Sequence, residues 1–390
     1  MTHEDMLSGL RVVEISSYVA TPLCGMTLAQ LGADVVRVEP LGGGPDRTRW
    51  PLADSGTSLY WSGLNKGKRA VAVDMESEAE RARIVDLVVA GGPCVVVTNT
   101  DRYAEFGWEA LCTRRPDVIH ALLHGRADGG AAVDYTVQAA TGFPLVTGPA
   151  ENPAPVNTVL PAWDIAAGLY LALGLLAAER HRLHTGRGRA IRVALEDVAL
   201  ATAGNLGYLA EAQTTSHRRQ KSGNDVYGAY GRDFETADGV RVIVVILTER
   251  HWRKLLSATG LTHAIAGLSD ALDIDFGSES ARYEHRDVIS PLVARWFRRT
   301  TFAEAAEILD RHRILWERYR TFSELGADAG AALRDLDLFA MVDQPGVGPH
   351  LAPKSPIVTD GERLAPRPAP GVGQHNDELL NSIGAEVISQ

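Results

Sequence analysis

Short apolar runs alternate with helical patterns along the first half of the chain. Five runs rich in valine and isoleucine predict strands, at Leu10–Ile15, Asp34–Glu39, Arg69–Asp74, Pro93–Thr98 and Asp117–Leu123. Helical periodicity lies between them, as at Pro22–Leu31, where proline suits the first helical position, and at Ser77–Val89. Strands that alternate with helices predict a parallel sheet with right-handed connections, which is the doubly wound class of α/β fold.

One acidic residue stands at the start of the most apolar helix in the chain. Pro161 precedes Asp164, and the helix that follows is apolar from Ile165 to Ala178. Unpaired N–H groups and the helix dipole favour negative charge in a first turn, so Asp164 could simply stabilise the helix end. The same position could also present a carboxylate nucleophile to a cleft. The local pattern leaves both interpretations open.

The second half of the chain predicts a smaller α+β domain. Strand Arg189–Leu195 and helix Glu196–Gln213 complete a large domain of residues 1–213, and the polar residues 214–226 form a linker. Asp238-Gly239 between two apolar runs predicts a hairpin, with three helices after it, in a small domain of residues 227–312. Residues 313–390 are rich in proline and poor in core residues, so we expect them to pack on the large domain or on a partner chain.

Composition narrows the range of partners and compartments. The 390 residues carry a net charge of -10, which argues against nucleic acid as the main ligand. Cys24, Cys94 and Cys112 lie far apart without metal-ligand spacing, as expected of buried free thiols in a reducing compartment. The first residues are polar and acidic, unlike a secretion signal, and the apolar helix is short for a membrane span. We therefore expect a cytoplasmic protein that does not enter a membrane.

Several common catalytic motifs are missing from the sequence. The first strand-to-helix turn, Ser16–Pro22, lacks the glycines of a dinucleotide site, and no GxSxG motif marks a hydrolase nucleophile. His181 and His184 end a helix, where cations are favourable, so we expect no metal site there. His124 follows an apolar strand and could approach a ligand at the carboxyl end of the sheet.

Basic residues gather near the predicted strand ends and in the loops after them. Each could belong to a solvated surface, while together they could meet the phosphates of a large anionic cofactor. They are Arg37, Arg47, Arg49, Lys66, Lys68, Arg69 and Arg102.

Five sequence blocks occur in a characteristic order along nearly the whole chain. They are LSGLRVVE at residues 7–14, LGADVVRVE at 31–39, LNKGKR at 64–69, HTGRG at 184–188 and GQHNDE at 373–378. In this order they resemble the family III CoA transferases, which include formyl-CoA and carnitinyl-CoA transferases and the α-methylacyl-CoA racemases. The resemblance implies a Rossmann-like large domain, a small domain, and two ring-like subunits interlinked in a homodimer.

Further blocks narrow the resemblance to members that move CoA within one substrate. These blocks are PLCGMTLAQ at residues 22–30, LPAWDI at 160–165, GRDFET at 231–236 and FAMVDQPG at 339–346. They imply transfer of CoA from C1 to C4 of 2-methylfumaryl-CoA, which gives 3-methylfumaryl-CoA. The racemases have a histidine where this chain has Val133, and residues 221–225 lack the glycine-rich loop of formyl-CoA transferase. The first departure argues against racemase chemistry, and the second fits an enzyme that moves CoA within one substrate.

The resemblance also assigns the site residues. It places the catalytic nucleophile at Asp164, which settles the choice that the local pattern left open. It implies contacts with CoA at Val19 and Ala20, at Val73, Asp74 and Met75 beside the adenine and ribose, at Asn99 and Thr100, and at Val133 and Asp134 near the pantetheine. Arg37 and Arg102 are the basic residues expected at the CoA site, and charge alone suggests Arg47 or Arg49 for the free carboxylate of the substrate.

Coenzyme A, as part of the substrate, is the only cofactor expected, and no metal is expected. Three alternatives remain at this stage. The first is an intermolecular transferase that moves CoA from a donor such as succinyl-CoA to a separate acid. The others are a nicotinamide-dependent oxidoreductase and a non-catalytic acyl-CoA-binding protein.

Overall fold

The computed structural model describes residues 5–90, 92–328, 333 and 335–380, and these residues form eleven strands and fifteen α-helices. The strands are β1 (Arg11–Ile15), β2 (Asp34–Pro40), β3 (Arg69–Val73), β4 (Cys94–Thr98), β5 (Ile119–His124), β6 (Ala190–Ala194), β7 (Tyr230–Glu235), β8 (Arg241–Ile246), β9 (Leu315–Arg318), β10 (Phe339–Gln344) and β11 (Gly348–Pro353). The helices are α1 (Ala20–Ala29), α2 (Leu59–Leu64), α3 (Glu78–Val89), α4 (Trp108–Arg114), α5 (Asp134–Ala140), α6 (Phe143–Val146), α7 (Ala162–Thr185), α8 (Leu195–Asn205), α9 (Tyr208–Thr214), α10 (Glu249–Thr259), α11 (Thr262–Leu272), α12 (Glu279–Glu284), α13 (Arg286–Phe297), α14 (Phe302–Arg311) and α15 (Phe322–Asp328).

A six-stranded parallel sheet organises the first of two compact units, which comprises residues 1–141, 158–216 and 328–390. The strand order is β3-β2-β1-β4-β5-β6, and all six strands were predicted from the apolar runs. The doubly wound α/β fold is thereby confirmed. The chain runs outward from β1 through β2 on one side and from β4 on the other, so the loops after β1 and β4 diverge. All six strands are parallel and therefore end on the same side of the sheet, which we call the carboxyl edge.

Helix α7 is the longest helix described, with 24 residues, and it packs against the sheet. Its buried positions include Ala167, Leu171, Leu175 and Ala178, whose spacing of three or four residues keeps them on one face. Near its end, Arg182 is buried and its Nη1 donates to the carbonyls of Cys94 and Asp117 at 2.7 and 3.0 Å. The expectation that this helix is too short for a membrane span is wrong, because α7 is long and apolar enough to cross one, although buried core helices share both properties.

The sequence predicted one helix at Glu196–Gln213. The structure has two helices there, α8 and α9, so the prediction of a continuous helix is wrong. Gly207 separates them with a φ of +81°, a left-handed conformation that an α-helix does not continue through. The apolar periodicity runs across this glycine, and periodicity alone therefore predicts one helix.

The second unit comprises residues 142–157 and 217–327. Its antiparallel sheet has the order β7-β8-β9, and the β7–β8 hairpin turns at Asp238-Gly239 as the sequence predicted. Phe234, Ile246, Leu255 and Phe297 belong to its buried core. The sequence did not predict β9, which is only four residues long.

The C-terminal segment belongs to the first unit and lies against β3, the edge strand of the large sheet. Asn376 bonds both backbone groups of Ala72, with its Oδ1 accepting at 2.8 Å and its Nδ2 donating at 2.9 Å. His375 bonds both backbone groups of Ala70, and Leu379 and Leu380 enter the core of this unit. The segment thus pairs with an edge strand that has no further strand beside it in the described sheet.

Candidate active site

Asp164 is the third residue of α7, and another carboxylate caps that helix. Pro161, at the N-cap position, makes no side-chain cap bond. Instead Asp134, at the start of α5, accepts the N–H groups of Trp163 at 2.8 Å and Asp164 at 3.2 Å through Oδ2. The capping function that the sequence offered to Asp164 therefore belongs to Asp134, and the Asp164 carboxylate remains available for chemistry.

The surroundings of Asp164 make it a more basic carboxylate than usual. Burial raises its pKa to about 6, the neighbouring Asp134 charge adds to this, and Arg49 acts in the opposite direction. Burial also raises the pKa of Asp134, although the N–H groups of Asp164 and Trp163 lower it. At neutral pH Asp164 is thus mostly ionised, and its elevated pKa makes it a better nucleophile than an exposed aspartate.

A glycine brings α7 into contact with the turn between β1 and α1. A Cβ atom at Gly168 would lie 2.5 Å from the carbonyl oxygen of Ala20 and 3.3 Å from Cβ of Leu23. Gly168 is one helical turn beyond Asp164, so it lies on the same side of α7. The absent side chain therefore allows Asp164 to lie beside the start of α1, where first-turn N–H groups lack helical partners.

Three of the candidate arginines lie between residues 37 and 49, and of these Arg49 is the one whose charge acts on Asp164. Its guanidinium carbon lies 5.1 Å from the ring centre of Tyr60 and 5.7 Å from that of Tyr18. Burial raises the pKa of Tyr60 to about 12 and the Arg49 cation opposes this shift, while Asp164 contributes to it. Arg49, Tyr60 and Asp164 therefore form one electrostatic group.

The other two arginines are already paired. Arg47 Nη2 contacts Glu39 Oε2 at 2.6 Å, and its guanidinium stacks 3.6 Å from the ring centre of Trp61. Arg37 is completely buried and pairs with Glu14, Glu39 and Asp46. Because Arg37 is completely buried, it cannot contact a CoA phosphate in this structure. Arg47 already pairs with the Glu39 carboxylate.

The residues predicted to contact CoA lie along the carboxyl edge of the sheet, but they differ in their exposure to solvent. Val19, Ala20 and Val73 are buried, so their side chains offer little surface to a ligand. Asp74 is exposed directly after β3, and Met75 packs on the hydrophobic core beside it.

The loop after β4 contains two of the other predicted contacts, Asn99 and Thr100. Asn99 donates its Nδ2 to the Ser17 carbonyl at 3.0 Å, which joins the loops after β1 and β4. The Thr100 hydroxyl accepts the N–H of Arg102, whose exposed side chain pairs with Glu76 at 2.8 Å.

Val133 is exposed, unlike Asp134, and lines an open cavity of about 460 Å³ together with Asn99 and His124. The structure therefore brings three of the candidate residues to one cavity at the carboxyl edge. Among the residues that the structure describes, no group of three or more His, Cys, Asp or Glu side chains is arranged to hold a metal ion.

Three features of the site were not found from the sequence. The capping role of Asp134 and the position of Tyr60 depend on packing between distant segments, and no local signal marks them. Gly168 did carry a signal, because a glycine inside an apolar helix is unfavourable and points to a close backbone approach.

The sequence profile of CoA-transferase family III matches residues 7–376. The chain belongs to this family. The resemblance drawn from the sequence is thus confirmed, and so is the expectation of an enzyme that transfers CoA between acyl groups. Membership sets aside the nicotinamide-dependent oxidoreductase and the non-catalytic binding protein.

Relatives within family III cover nearly the full length of the chain. The chain is 47% identical to the 2-methylfumaryl-CoA isomerase of Chloroflexus aurantiacus, over 97% of this chain and 93% of that protein. It is 27% identical to the succinyl-CoA:mesaconate CoA-transferase of Haloarcula marismortui, over 97% of each. A CaiB/BaiF family protein from Brucella suis has the same fold, with a TM-score of 0.78 and 23% identity over 98% of this chain and 100% of that chain.

Proposed function

We propose that this family III enzyme converts 2-methylfumaryl-CoA to 3-methylfumaryl-CoA by moving CoA from C1 to C4 of the same molecule. The 47% identity to an isomerase named for this substrate supports the choice. One structural observation supports the chemistry: Asp134 caps α7, which leaves Asp164 as an ionised carboxylate with a pKa raised to about 6. A nucleophile in that state can attack a thioester at neutral pH.

The first half of the reaction transfers CoA to the enzyme. An oxygen of Asp164 attacks the C1 thioester carbonyl, the carbon–sulfur bond breaks, and CoA leaves as the thiolate. The product is a mixed anhydride between Asp164 and the substrate. The thiolate then attacks the Asp164 carbonyl, which releases methylfumarate as a carboxylate and leaves an aspartyl-CoA thioester.

The second half returns CoA to the other end of the same acid. The C4 carboxylate attacks the aspartyl thioester, the thiolate leaves, and a second anhydride forms. The thiolate attacks the C4 carbonyl, which forms 3-methylfumaryl-CoA and regenerates the Asp164 carboxylate. No proton is gained or lost over the cycle, so a general acid is not required.

The surrounding residues suit these steps. Arg49, which lies near two tyrosine rings and whose charge acts on Asp164, is the residue we propose for the free carboxylate of the substrate. N–H groups at the start of α1, brought close by Gly168, would stabilise the oxyanions. Arg102 is exposed, and its surface pair with Glu76 is weak enough for a CoA phosphate to replace.

The test is mass spectrometry of the CoA esters after 2-methylfumaryl-CoA is incubated with the enzyme and isotopically labelled free methylfumarate. We expect 3-methylfumaryl-CoA without the label, and no product from Asp164→Ala. Label in the product would instead support intermolecular transfer, the activity named for the 27% identical relative. No turnover with either acid would overturn the proposed substrate.

We also propose that two chains form the interlinked homodimer that the family resemblance implies. On α7, Leu169, Tyr170 and Leu173 are each at least half exposed and lie on one side of the helix. Leu200 of α8 and Leu209 of α9 are also exposed apolar residues. An exposed apolar surface of this kind is typical of a protein–protein interface, and we propose that a second copy of this chain binds there. The cytoplasmic location stays a prediction.

A further inference from the structure

The turn between β1 and α1 is held at three consecutive residues by side chains from three other segments. These bonds are Arg37 Nη2 to the Ser16 carbonyl at 3.1 Å, Asn99 Nδ2 to the Ser17 carbonyl at 3.0 Å, and the Tyr18 N–H to Asp46 Oδ2 at 3.1 Å. The next residues in the chain are Val19 and Ala20, at the start of α1. The backbone that leads to the active site is therefore fixed from outside the turn.

Tyr18 is the residue of this turn that most needs support. Its φ is +69°, in the left-handed region that residues with a Cβ atom rarely adopt. Such a conformation persists where the surrounding structure over-determines it. The bond to Asp46 is the contact that holds the Tyr18 N–H, and Asp46 itself is only 1% exposed and pairs with Arg37 at 2.9 Å.

Asp46 also controls a second part of the site. It lies in the 3-10 helix Pro45–Thr48, and Arg49 is the next residue. Arg49 in turn lies 5.7 Å from the ring centre of Tyr18, so the backbone and the ring of Tyr18 both contact this one short segment. A single buried carboxylate therefore bonds the turn that leads to α1 and lies in the segment just before Arg49, whose charge acts on Asp164.

We propose that Asp46 is a positioning residue for the CoA transfer. By holding Tyr18 in the left-handed conformation, it sets the N–H groups at the start of α1 and the Arg49 guanidinium relative to Asp164. The same network gives Arg37 and Asn99 a structural role at the β1–α1 turn. The inference rests on the proposed function, because the experiment measures the effect of Asp46 on that reaction.

The experiment compares kcat, KM and melting temperature for Asp46→Ala, Asp46→Asn and Glu39→Ala. Glu39 is the matched control, because it is also buried and also pairs with Arg37 but makes no contact with the turn. All three variants lose one carboxylate beside Arg37, so all three should melt at a lower temperature. Asp46→Ala removes the acceptor for Tyr18, whereas Asp46→Asn keeps an oxygen there.

We expect kcat to fall about tenfold or more in Asp46→Ala, with a smaller change in KM, because small displacements of reacting groups slow the chemical step. Asp46→Asn and Glu39→Ala should keep kcat within about threefold of the unmodified enzyme, since the Tyr18 N–H still has its acceptor. Equal kcat values for Asp46→Ala and Glu39→Ala would overturn the inference.

If Asp46→Ala is insoluble, Asp46→Ser takes its place, because the serine hydroxyl is one bond too short to reach the Tyr18 N–H. The same loss of kcat is expected, and its absence overturns the inference. The unmodified enzyme is measured first. If it does not turn over 2-methylfumaryl-CoA, the proposed substrate fails, and the variants are compared with the acyl-CoA and acid that the enzyme does accept.

Discussion

At the scale of single residues, the chemistry depends on how Asp134 and Asp164 share the start of α7. Asp134 accepts two N–H groups there, and its charge helps raise the pKa of Asp164 to about 6. Because the nucleophile must be ionised, we expect kcat/KM to fall about tenfold per pH unit below 6 and to level off above it. The measurement is kcat/KM from pH 4.5 to 8.

A matched variant checks the cause of this pH dependence. Asp134→Asn keeps an oxygen for the N–H groups of Trp163 and Asp164 but removes the negative charge. The pKa of Asp164 should then fall, and the acid limb of the profile should move to lower pH. An unmoved limb, or a flat profile between pH 5 and 7, would show that Asp164 ionisation does not control the rate.

The raised pKa of Asp164 also predicts a stability effect. Between pH 3.8 and about 6 the folded protein binds a proton at Asp164 that the unfolded chain releases, so this stabilisation is lost as pH rises through about 6. At pH 8, Asp164→Asn should therefore raise the free energy of unfolding, by at most about 3 kcal/mol at 1.36 kcal/mol per pH unit. At pH 4 the gain should nearly vanish.

Asp238 provides a control of opposite sign for this measurement. The Thr236 hydroxyl and then the Phe302 N–H lower its pKa, so its contribution is present above the unfolded pKa and is lost in acid. Asp238→Asn should lower the melting temperature at pH 8, where Asp164→Asn raises it. Melting curves of both variants at pH 4 and pH 8 make the comparison, and a destabilised Asp164→Asn at pH 8 would contradict the argument.

At the scale of elements, the contact between α7 and α1 depends on Gly168. A Cβ atom there would meet the Ala20 carbonyl at 2.5 Å, and this is backbone that cannot swing aside. Gly168→Ala should cost about 1–3 kcal/mol of stability and lower kcat, because α7 must move away from the start of α1.

The control for Gly168→Ala is Gly204→Ala in α8, where the nearest atom to the new Cβ is 4.0 Å away. There the gain in helix propensity should stabilise the protein by up to about 1 kcal/mol. Chemical denaturation and steady-state kinetics on both variants compare the two sites. A Gly168→Ala enzyme with unchanged kcat would show that the close approach does not position Asp164.

The pairing of the C-terminal segment with β3 gives a second prediction at this scale. Asn376→Ala removes both bonds to Ala72 and should cost about 2 kcal/mol, since two backbone groups lose their partners. Gln374→Ala is the control, because the Gln374 side chain accepts the exposed Gly371 N–H in the same segment and does not bond β3. Urea unfolding should separate the two variants, and equal stabilities would contradict this role of Asn376.

The elements that the sequence predicted well are those whose pattern is local. All six strands of the parallel sheet are apolar runs in the sequence, and the Asp238-Gly239 turn marks its own hairpin. In contrast β10 and β11 lie in a proline-rich region, and their pairing depends on a turn at Gly346, whose φ is +79°. Strand pairing of that kind has no periodic signal, so the hairpin was missed.

At the scale of the whole molecule, the exposed apolar face of α7 predicts the effect of a surface charge. If a second copy covers this face, Leu173→Glu should convert a dimer to monomers, because a buried unpaired carboxylate is costly. Leu183→Glu is the control, because Leu183 is also exposed but lies about 15 Å further along α7, and it should leave the dimer intact. Light scattering after size-exclusion chromatography measures both, and a monomeric unmodified protein would overturn the dimer.

The site as a whole was only partly predictable. The local pattern of a proline and an apolar run placed Asp164 correctly at the start of a helix, because that stretch of sequence is continuous. Arg49 could not be separated from Arg47, since they are two residues apart and only packing shows that Arg47 is paired with Glu39. Interactions between distant segments, such as those of Asp134 and Asp46, became visible only once the strands were placed in order.

The pairing of His375 and Asn376 with β3 spans 305 and 304 positions of sequence. During synthesis on the ribosome, β3 therefore emerges long before the residues that cover its edge. An uncovered edge strand is a template for pairing with another nascent chain. The large sheet thus reaches its final state only after His375 and Asn376 have been synthesised, and a premature stop codon ahead of His375 should yield an aggregating product.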